Sequence, residues 1–310
     1  MYKDRRIAAL VPAYNEAAHV GTVVRTMPAY VDHIIVVDDC STDGTSQAAR
    51  EPGDPRIRLV RHEQNCGLGA TLIDAHKQAI ELGSDISVVM AGDGQMDPAY
   101  LPALLDPIVE DGYDFTKGNR FFSRNSWKGM PRYRIFGNVV LTFLTKLATG
   151  YWDIFDPQNG YTAMGGPAER AIAWDDVARD YSFENDVLAH LGLDDRRVKD
   201  VNIPAVYGEE VSDIKLGKVI PDLLRTLRRA FWRRIFTKYV VESFSPVALF
   251  GFSAGALLLW AFLFGAWVIG QKILGTTPTT ATVMLVVLPF LMGFELMLAA
   301  LVLDILNSPK

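Results

Sequence analysis

Two long apolar stretches, Val247 to Gly270 and Val283 to Leu303, close a chain of 310 residues whose preceding part reads as a water-soluble α/β body. At 1.5 Å per helical residue they cover roughly 36 Å and roughly 32 Å, against a bilayer hydrocarbon core of about 30 Å. The first carries no charge, so both are expected to span, as a hairpin. A soluble body tethered in this way suits chemistry in which one substrate is dissolved and the other lies in the bilayer.

The residues before the first span supply an orientation. Lys215, Lys218, Arg225, Arg228, Arg229, Arg233, Arg234 and Lys238 precede it, whereas the connecting loop 271–281 has Lys272 alone. Positive charge stays inside, so the body and both termini are expected in the cytoplasm, at the plasma membrane of a prokaryote. Ile220, Leu223, Leu224, Leu227, Phe231 and Ile235 recur at helical spacing and predict an amphipathic helix in the headgroup layer. A basic helix packed on the body is the alternative. The formal charge of −5 points to no nucleic-acid partner. Cys40 and Cys66 show no disulfide or metal pattern, and the charged start, Met1 to Arg6, leads straight into an apolar strand rather than a signal peptide.

Strands are expected at Ile7–Val11, His33–Val37, Ile57–Val60, Ile86–Met90 and Asp114–Lys117. Helices are expected near Ala18–Thr26, Thr45–Arg50, Gly69–Leu82 and Pro98–Glu110. This βαβ rhythm predicts a mostly parallel sheet covered on both faces, with ligands at the carboxyl ends of its strands. Three polar clusters fall at such ends: Val11-Pro12-Ala13-Tyr14-Asn15-Glu16, Asp38-Asp39-Cys40-Ser41-Thr42-Asp43-Gly44-Thr45, and Ala91-Gly92-Asp93-Gly94-Gln95-Met96-Asp97-Pro98. Asp39 can accept from a base N–H or ribose hydroxyls. Asp93 and Gln95 can present oxygens to a divalent cation that also holds diphosphate. Each cluster alone reads equally as a set of helix caps, Ser41 and Asp43 before Thr45 above all.

In order and spacing the clusters resemble glycosyltransferase family 2, the GT-A nucleotide-sugar enzymes, over roughly Arg6 to Lys215. Within it the chain is most similar to the polyprenyl-phosphate and dolichyl-phosphate glycosyltransferases, whose appended hairpin it shares. The resemblance implies that Pro12, Tyr14, Glu16, Val37 and Asp39 hold the nucleoside. Ala91, Gly92, Asp93 and Gln95 would line the diphosphate, with Asp93 and Gln95 on Mg²⁺ or Mn²⁺. Ala91 stands where the family's acidic triplet has its first aspartate, leaving "AGDGQ". Arg120, in Lys117-Gly118-Asn119-Arg120-Phe121, would face the acceptor phosphate, with Arg132, Arg134 and Asn138 completing a cationic pocket. Phe121, Phe122, Trp127 and Met130 share that loop and suit either the prenyl chain or a satellite core. Asp156 and Glu184 would be positioning carboxylates, since a phosphate acceptor is already anionic at neutral pH and needs no base. Lys215 is carried over for the donor diphosphate.

The expected architecture is therefore a cytoplasmic GT-A Rossmann-like domain over 1–215, an amphipathic juxtamembrane helix over 216–245 and a transmembrane hairpin over 246–306. The expected reaction is inverting transfer from a nucleotide-sugar, UDP-sugar before GDP-mannose, to a polyprenyl or dolichyl phosphate. Transfer to a hydroxyl, with Glu184 or Asp186 as base, and a catalytically silent nucleotide-sugar-binding scaffold stay open. Glu295, inside the second span, is expected to face a neighbouring helix in a homo-oligomer. Cys66-Gly67-Leu68-Gly69-Ala70 lacks the third glycine of a dinucleotide fingerprint, and His19, His33, His62, His76 and His190 show no metal-ligand spacing.

Overall fold

The computed structural model describes residues 1–121, 132–204 and 216–309, with only the backbone described for 132–134 and 216–218. They form two compact units, Met1–Phe231 and Trp232–Ser308. In the first, seven strands make one sheet of order β3-β2-β1-β4-β6-β5-β7, namely β1 Ile7–Ala13, β2 His33–Asp38, β3 Ile57–Arg61, β4 Ile86–Val89, β5 Phe115–Asn119, β6 Thr162–Gly165 and β7 Val198–Asn202. All pairings are parallel except those of β6, which runs antiparallel between β4 and β5. The mostly parallel α/β sheet expected from the sequence is present.

Helices cover both faces, which is why the central strands read as continuous apolar runs. Ile7, Ala9, Val11, Ile34, Val36, Ile86 and Val88 face α1 (Val20–Arg25), α2 (Thr45–Arg50) and α4 (Leu101–Val109). Ala8, Leu10, Ile35, Val37 and Val89, the alternate positions, face α3 (Leu68–Glu81), α6 (Gly166–Ala171) and α7 (Phe183–Leu193). Two glycines permit close crossings. A Cβ on Gly69, in the first turn of α3, would lie 2.5 Å from the Arg179 carbonyl carbon, and one on Gly192 would lie 2.3 Å from the Thr149 oxygen at the end of α5 (Arg132–Thr149).

The basic helix expected before the spans is α8 (Leu216–Arg234). Leu223, Leu227 and Ala230 are buried against Ala148 of α5 and Ala189 of α7, so this edge of the apolar face packs on the body instead of entering lipid. The other edge, Ile220 and Leu224, stays exposed. Side chains three and four apart fan over more than one direction, so one helix serves both.

In the second unit a π-helical stretch, Ile235–Glu242, precedes α9 (Pro246–Ile273) and α10 (Thr280–Leu306), both long and apolar enough to cross a membrane. Ser245 and Thr279 cap them. Gly293 lets α10 approach Ala254, Leu257 and Leu258 so closely that a Cβ would meet each within 3.0–3.2 Å. Glu295 lies two positions on, roughly 200° around the helix, and α9 leaves it exposed. Asp304 is buried with Arg234 and Tyr239: Arg234 Nη1 donates to Asp304 Oδ1 at 2.6 Å and Nη2 to Oδ2 at 3.1 Å, and the Tyr239 hydroxyl donates to Oδ1 at 2.5 Å.

Candidate active site

Strands β2, β1 and β4 are adjacent and parallel, so the three polar clusters leave the sheet side by side. Pro12 and Val37 are partners in register, both buried, and Ala13 lies opposite Asp38. The loops are tied at the strand ends: the Asp39 amide donates to the Ala13 carbonyl at 3.0 Å and the Gly92 amide to that of Pro12 at 3.0 Å. Part of the second cluster serves the fold. Asp43, just before the Gly44 N-cap of α2, accepts the Thr45 amide at 3.0 Å, and Ser41 and Thr45 hydroxyls accept from the Asn15 and Glu16 amides at 2.9 and 2.8 Å. Asn15 adopts φ +57°, and its Oδ1 accepts from the Thr42 amide at 2.9 Å. Tyr14 is half exposed beside this turn.

Asp39 is buried and heavily engaged. Its carboxylate accepts the Cys66 amide on Oδ1 and the Gly67 amide on Oδ2, each at 2.8 Å, and lies 2.7 Å from His62 Nδ1. Gly67, at φ +88°, turns its amide toward the carboxylate. The glycine-rich stretch 66–70 is thus a clamp on Asp39.

In the third cluster Asp93 and Gln95 are partly buried, and the Gln95 amide donates to Asp93 Oδ1 at 2.9 Å. Gly94 takes φ +73°, and a Cβ on Gly92 would lie 3.1 Å from both the Pro12 oxygen and the Ala13 Cβ. This tight turn puts a carboxylate and a carboxamide on one loop next to the other two, a hard oxygen set that fits Mg²⁺ or Mn²⁺ and leaves positions for diphosphate oxygens. Ala91 contributes a methyl group; its amide donates to Met96 Sδ at 3.2 Å.

The second half of the site is built from β5 and the loop entering β6. Arg120 grips Asp156 with a planar fork, Nε to Oδ2 at 2.8 Å and Nη2 to Oδ1 at 2.9 Å, and its amide donates to Oδ2 at 3.2 Å. Asp156, at φ +51°, is buried. The loop is anchored from below by Lys117, which donates to the Phe155 carbonyl and, at 3.0 Å, to Asp200, which in turn accepts the Phe155 amide at 2.7 Å and Asn119 Nδ2 at 3.2 Å. Burial pulls the Lys117 ammonium down and pushes the Asp200 carboxyl up, each opposed by the other's charge.

Glu184 opens α7 near Gly160, where a Cβ would lie 3.7 Å from its Oε1. Desolvation pushes its carboxyl up to about 7, its own backbone amide pulling the other way. Asp186, two residues on, is buried and structural: it accepts the Ala178 amide at 2.9 Å and Arg229 Nη2 at 2.8 Å. Asn138 lies on α5, partly buried, whereas the side chains of Arg132 and Arg134 at the start of that helix, Lys215, and the loop residues Phe122, Trp127 and Met130 lie outside the described residues. Beyond Asn138, α5 exposes Phe136, Val139, Val140 and Phe143 at helical spacing.

A pH effect on stability follows from Glu184. Its native value, about 7, exceeds the ordinary 4.5, so folding takes up a proton between the two; this stabilisation is full below about 4.5 and lost as pH rises through about 7. The thermal midpoint of the wild type is expected to fall from pH ~5 to ~8 by several degrees more than that of Glu184→Gln. Parallel melting profiles for the two would place the Glu184 titration elsewhere.

Reasoning from sequence missed three participants. His62 stands in the sequence without metal-ligand spacing, Lys117 sits in the motif ahead of Arg120, and Asp200 carries no pattern. His62 and Asp39 lie 23 residues apart and Lys117 and Asp200 83, and only strand pairing brings them together.

A family model described as glycosyl transferase family 2 matches residues 8–165. The UDP-N-acetylglucosamine–dolichyl-phosphate N-acetylglucosaminyltransferase of Methanococcus voltae is 30% identical over 221 residues, covering 66% of this chain and 88% of that protein. The dolichol-phosphate mannosyltransferase of Pyrococcus furiosus is 26% identical over 267 residues, 83% of this chain and 72% of its own. The undecaprenyl-phosphate mannosyltransferase of Micrococcus luteus is 27% identical over 236 residues, 73% of this chain and 96% of its own. Among solved structures, glucosyl-3-phosphoglycerate synthase from Mycobacterium tuberculosis, in complex with Mn²⁺, UDP and glucosyl-3-phosphoglycerate, superposes with a TM-score of 0.58 at 22% identity over 74% of this chain and 81% of that one, a likeness of fold. With the family model covering half the chain and a 30% identical relative covered over most of its length, this protein belongs to glycosyltransferase family 2.

Proposed function

We propose that the protein transfers a sugar from a nucleotide-sugar, UDP-linked before GDP-linked, to a polyprenyl or dolichyl phosphate with inversion at the anomeric carbon. The observation that carries this is the convergence of three polar loops at the ends of β2, β1 and β4 in a chain with two helices long enough to span a bilayer. Relatives named for dolichyl-phosphate and undecaprenyl-phosphate acceptors support it. In this reading residues 1–215 form the cytoplasmic catalytic domain, 216–245 the juxtamembrane segment and 246–306 the anchor. The exposed stripe Phe136, Val139, Val140 and Phe143 suits an acceptor delivered from lipid.

Pro12, Tyr14, Glu16, Val37 and Asp39 would hold the nucleoside, the Cys66–Gly67 clamp fixing the Asp39 carboxylate. Asp93 and Gln95 would hold Mg²⁺ or Mn²⁺, which supplies positive charge for the departing diphosphate. Arg120, held by Asp156, would face the acceptor phosphate, with Arg132, Arg134, Asn138 and Lys215 adding to the phosphate sites. An acceptor phosphate oxygen forms the new bond to the anomeric carbon as the bond to the diphosphate oxygen breaks. Fixed geometry and charge, rather than proton transfer, provide the acceleration.

A second reading, transfer to a hydroxyl, is favoured by one feature: Glu184 has a near-neutral carboxyl, suited to a general base. Labelled sugar transfer from a panel of UDP- and GDP-sugars, with and without divalent metal, separates the two. Labelled prenyl-phosphate lipid, retained within about tenfold in Glu184→Gln, supports phosphate transfer; product only with alcohol acceptors, lost in Glu184→Gln, supports the hydroxyl reading. Nucleotide binding without any product would leave a silent scaffold.

A further inference from the structure

We infer that Asp39, His62 and Cys66 form a second cation site, separate from Asp93 and Gln95, that takes a thiophilic divalent ion of the Zn²⁺ class. A carboxylate oxygen, an imidazole nitrogen and a thiol sulfur, one from each residue, all lie within 4.8 Å of one another. Around tetrahedral zinc, with bonds of about 2.3 Å to sulfur and about 2.0–2.1 Å to nitrogen or oxygen, such atoms sit roughly 3.3–3.6 Å apart. Closing the set needs side-chain shifts of about an ångström at most. Cys66 is exposed, and its Sγ donates to the Gln64 carbonyl at 3.3 Å, so the group that moves is a surface one.

The arrangement around His62 favours a metal. Its Nδ1 faces Asp39 at 2.7 Å, and its Nε2 lies 3.0 Å from Asp74 Oδ2. A metal-binding imidazole that ligates through one nitrogen normally donates its other N–H to a carboxylate, which fixes the tautomer and raises its basicity. Asp74 on α3 stands in that place. On binding, the Cys66 thiol and the Nδ1–H that bridges His62 to Asp39 release their protons to solvent, the Nε2–H facing Asp74 stays, and Asp39 exchanges its contact with Nδ1 for the metal while keeping the Cys66 and Gly67 amides. Sulfur, nitrogen and oxygen together select zinc over the hard ions suited to Asp93, and three protein ligands leave one position open. If Asp39 also holds the donor nucleoside, a point that rests on the proposed function, zinc and donor exclude one another and the thiophilic ion inhibits transfer.

The test is zinc binding by the purified full-length chain, measured against a chromophoric chelator without nucleotide. Micromolar or tighter binding is expected. Cys66→Ser and His62→Gln should weaken it more than tenfold, and Asp74→Asn about tenfold. Cobalt in place of zinc gives a thiolate charge-transfer band that Cys66→Ser abolishes, and melting profiles confirm that the variants fold. Absence of micromolar binding in the wild type, or binding unchanged in folded Cys66→Ser and His62→Gln, overturns the site. Saturating UDP or GDP should weaken zinc binding; zinc affinity indifferent to a nucleotide shown to bind would retain the metal site and remove Asp39 from the nucleoside contacts.

Discussion

Asp93→Ala is expected to lower sugar transfer on the order of a thousandfold. The charge that develops on a departing nucleoside diphosphate needs a cation, and with Ala91 two positions before it and Asp97 accepting the Ala99 amide, Asp93 is the carboxylate this loop has for one. The fold should survive, because the carboxyl's hydrogen bond is to the Gln95 amide within its own turn. Single-turnover transfer against metal concentration separates the effects: a lost ligand raises the metal requirement, and high Mn²⁺ recovers part of the rate. Transfer within tenfold of wild type, at ordinary metal levels, would mean that the diphosphate is neutralised by other groups.

Asp304→Ala should cost the membrane unit about 3–5 kcal/mol, because it strands the Arg234 guanidinium in a buried place without its counter-charge. The pair itself need not be stabilising, since both charges were taken out of water to make it. The double variant Arg234→Met with Asp304→Leu is therefore expected to recover most of the loss. Denaturation in detergent followed by tryptophan fluorescence reads both. A loss under about 1 kcal/mol in the single variant would show that water reaches the guanidinium.

Periodicity and turn chemistry made the first five strands, their helices and both spans legible, since each is set by residues close in sequence: the apolar run of His33–Asp38, the Asp43 carboxylate on the first amide of α2, the uncharged stretch after Val247. The three polar loops were legible as candidates because a parallel sheet places all such ends together. Pairings were not. Neither motif announces that Asp156, 36 residues away, pairs with Arg120. Asp304 reads as the tail of a span until Arg234 meets it, 70 residues earlier. The division of α8 between packed Leu223 and exposed Leu224 depends on what α5 and α7 present, which no helical wheel contains.

The antiparallel strand β6 also dictates an order of assembly. Among the described residues β5 pairs in the sheet with β6 and β7, and β6 lies between it and β4. As the chain leaves the ribosome, β1 to β4 can close with the Asp39 and Asp93 loops in place, while β5 must wait some forty residues for its neighbour. The half that would recognise the nucleotide is complete before the half that would receive the acceptor can join it, and the two apolar helices follow both.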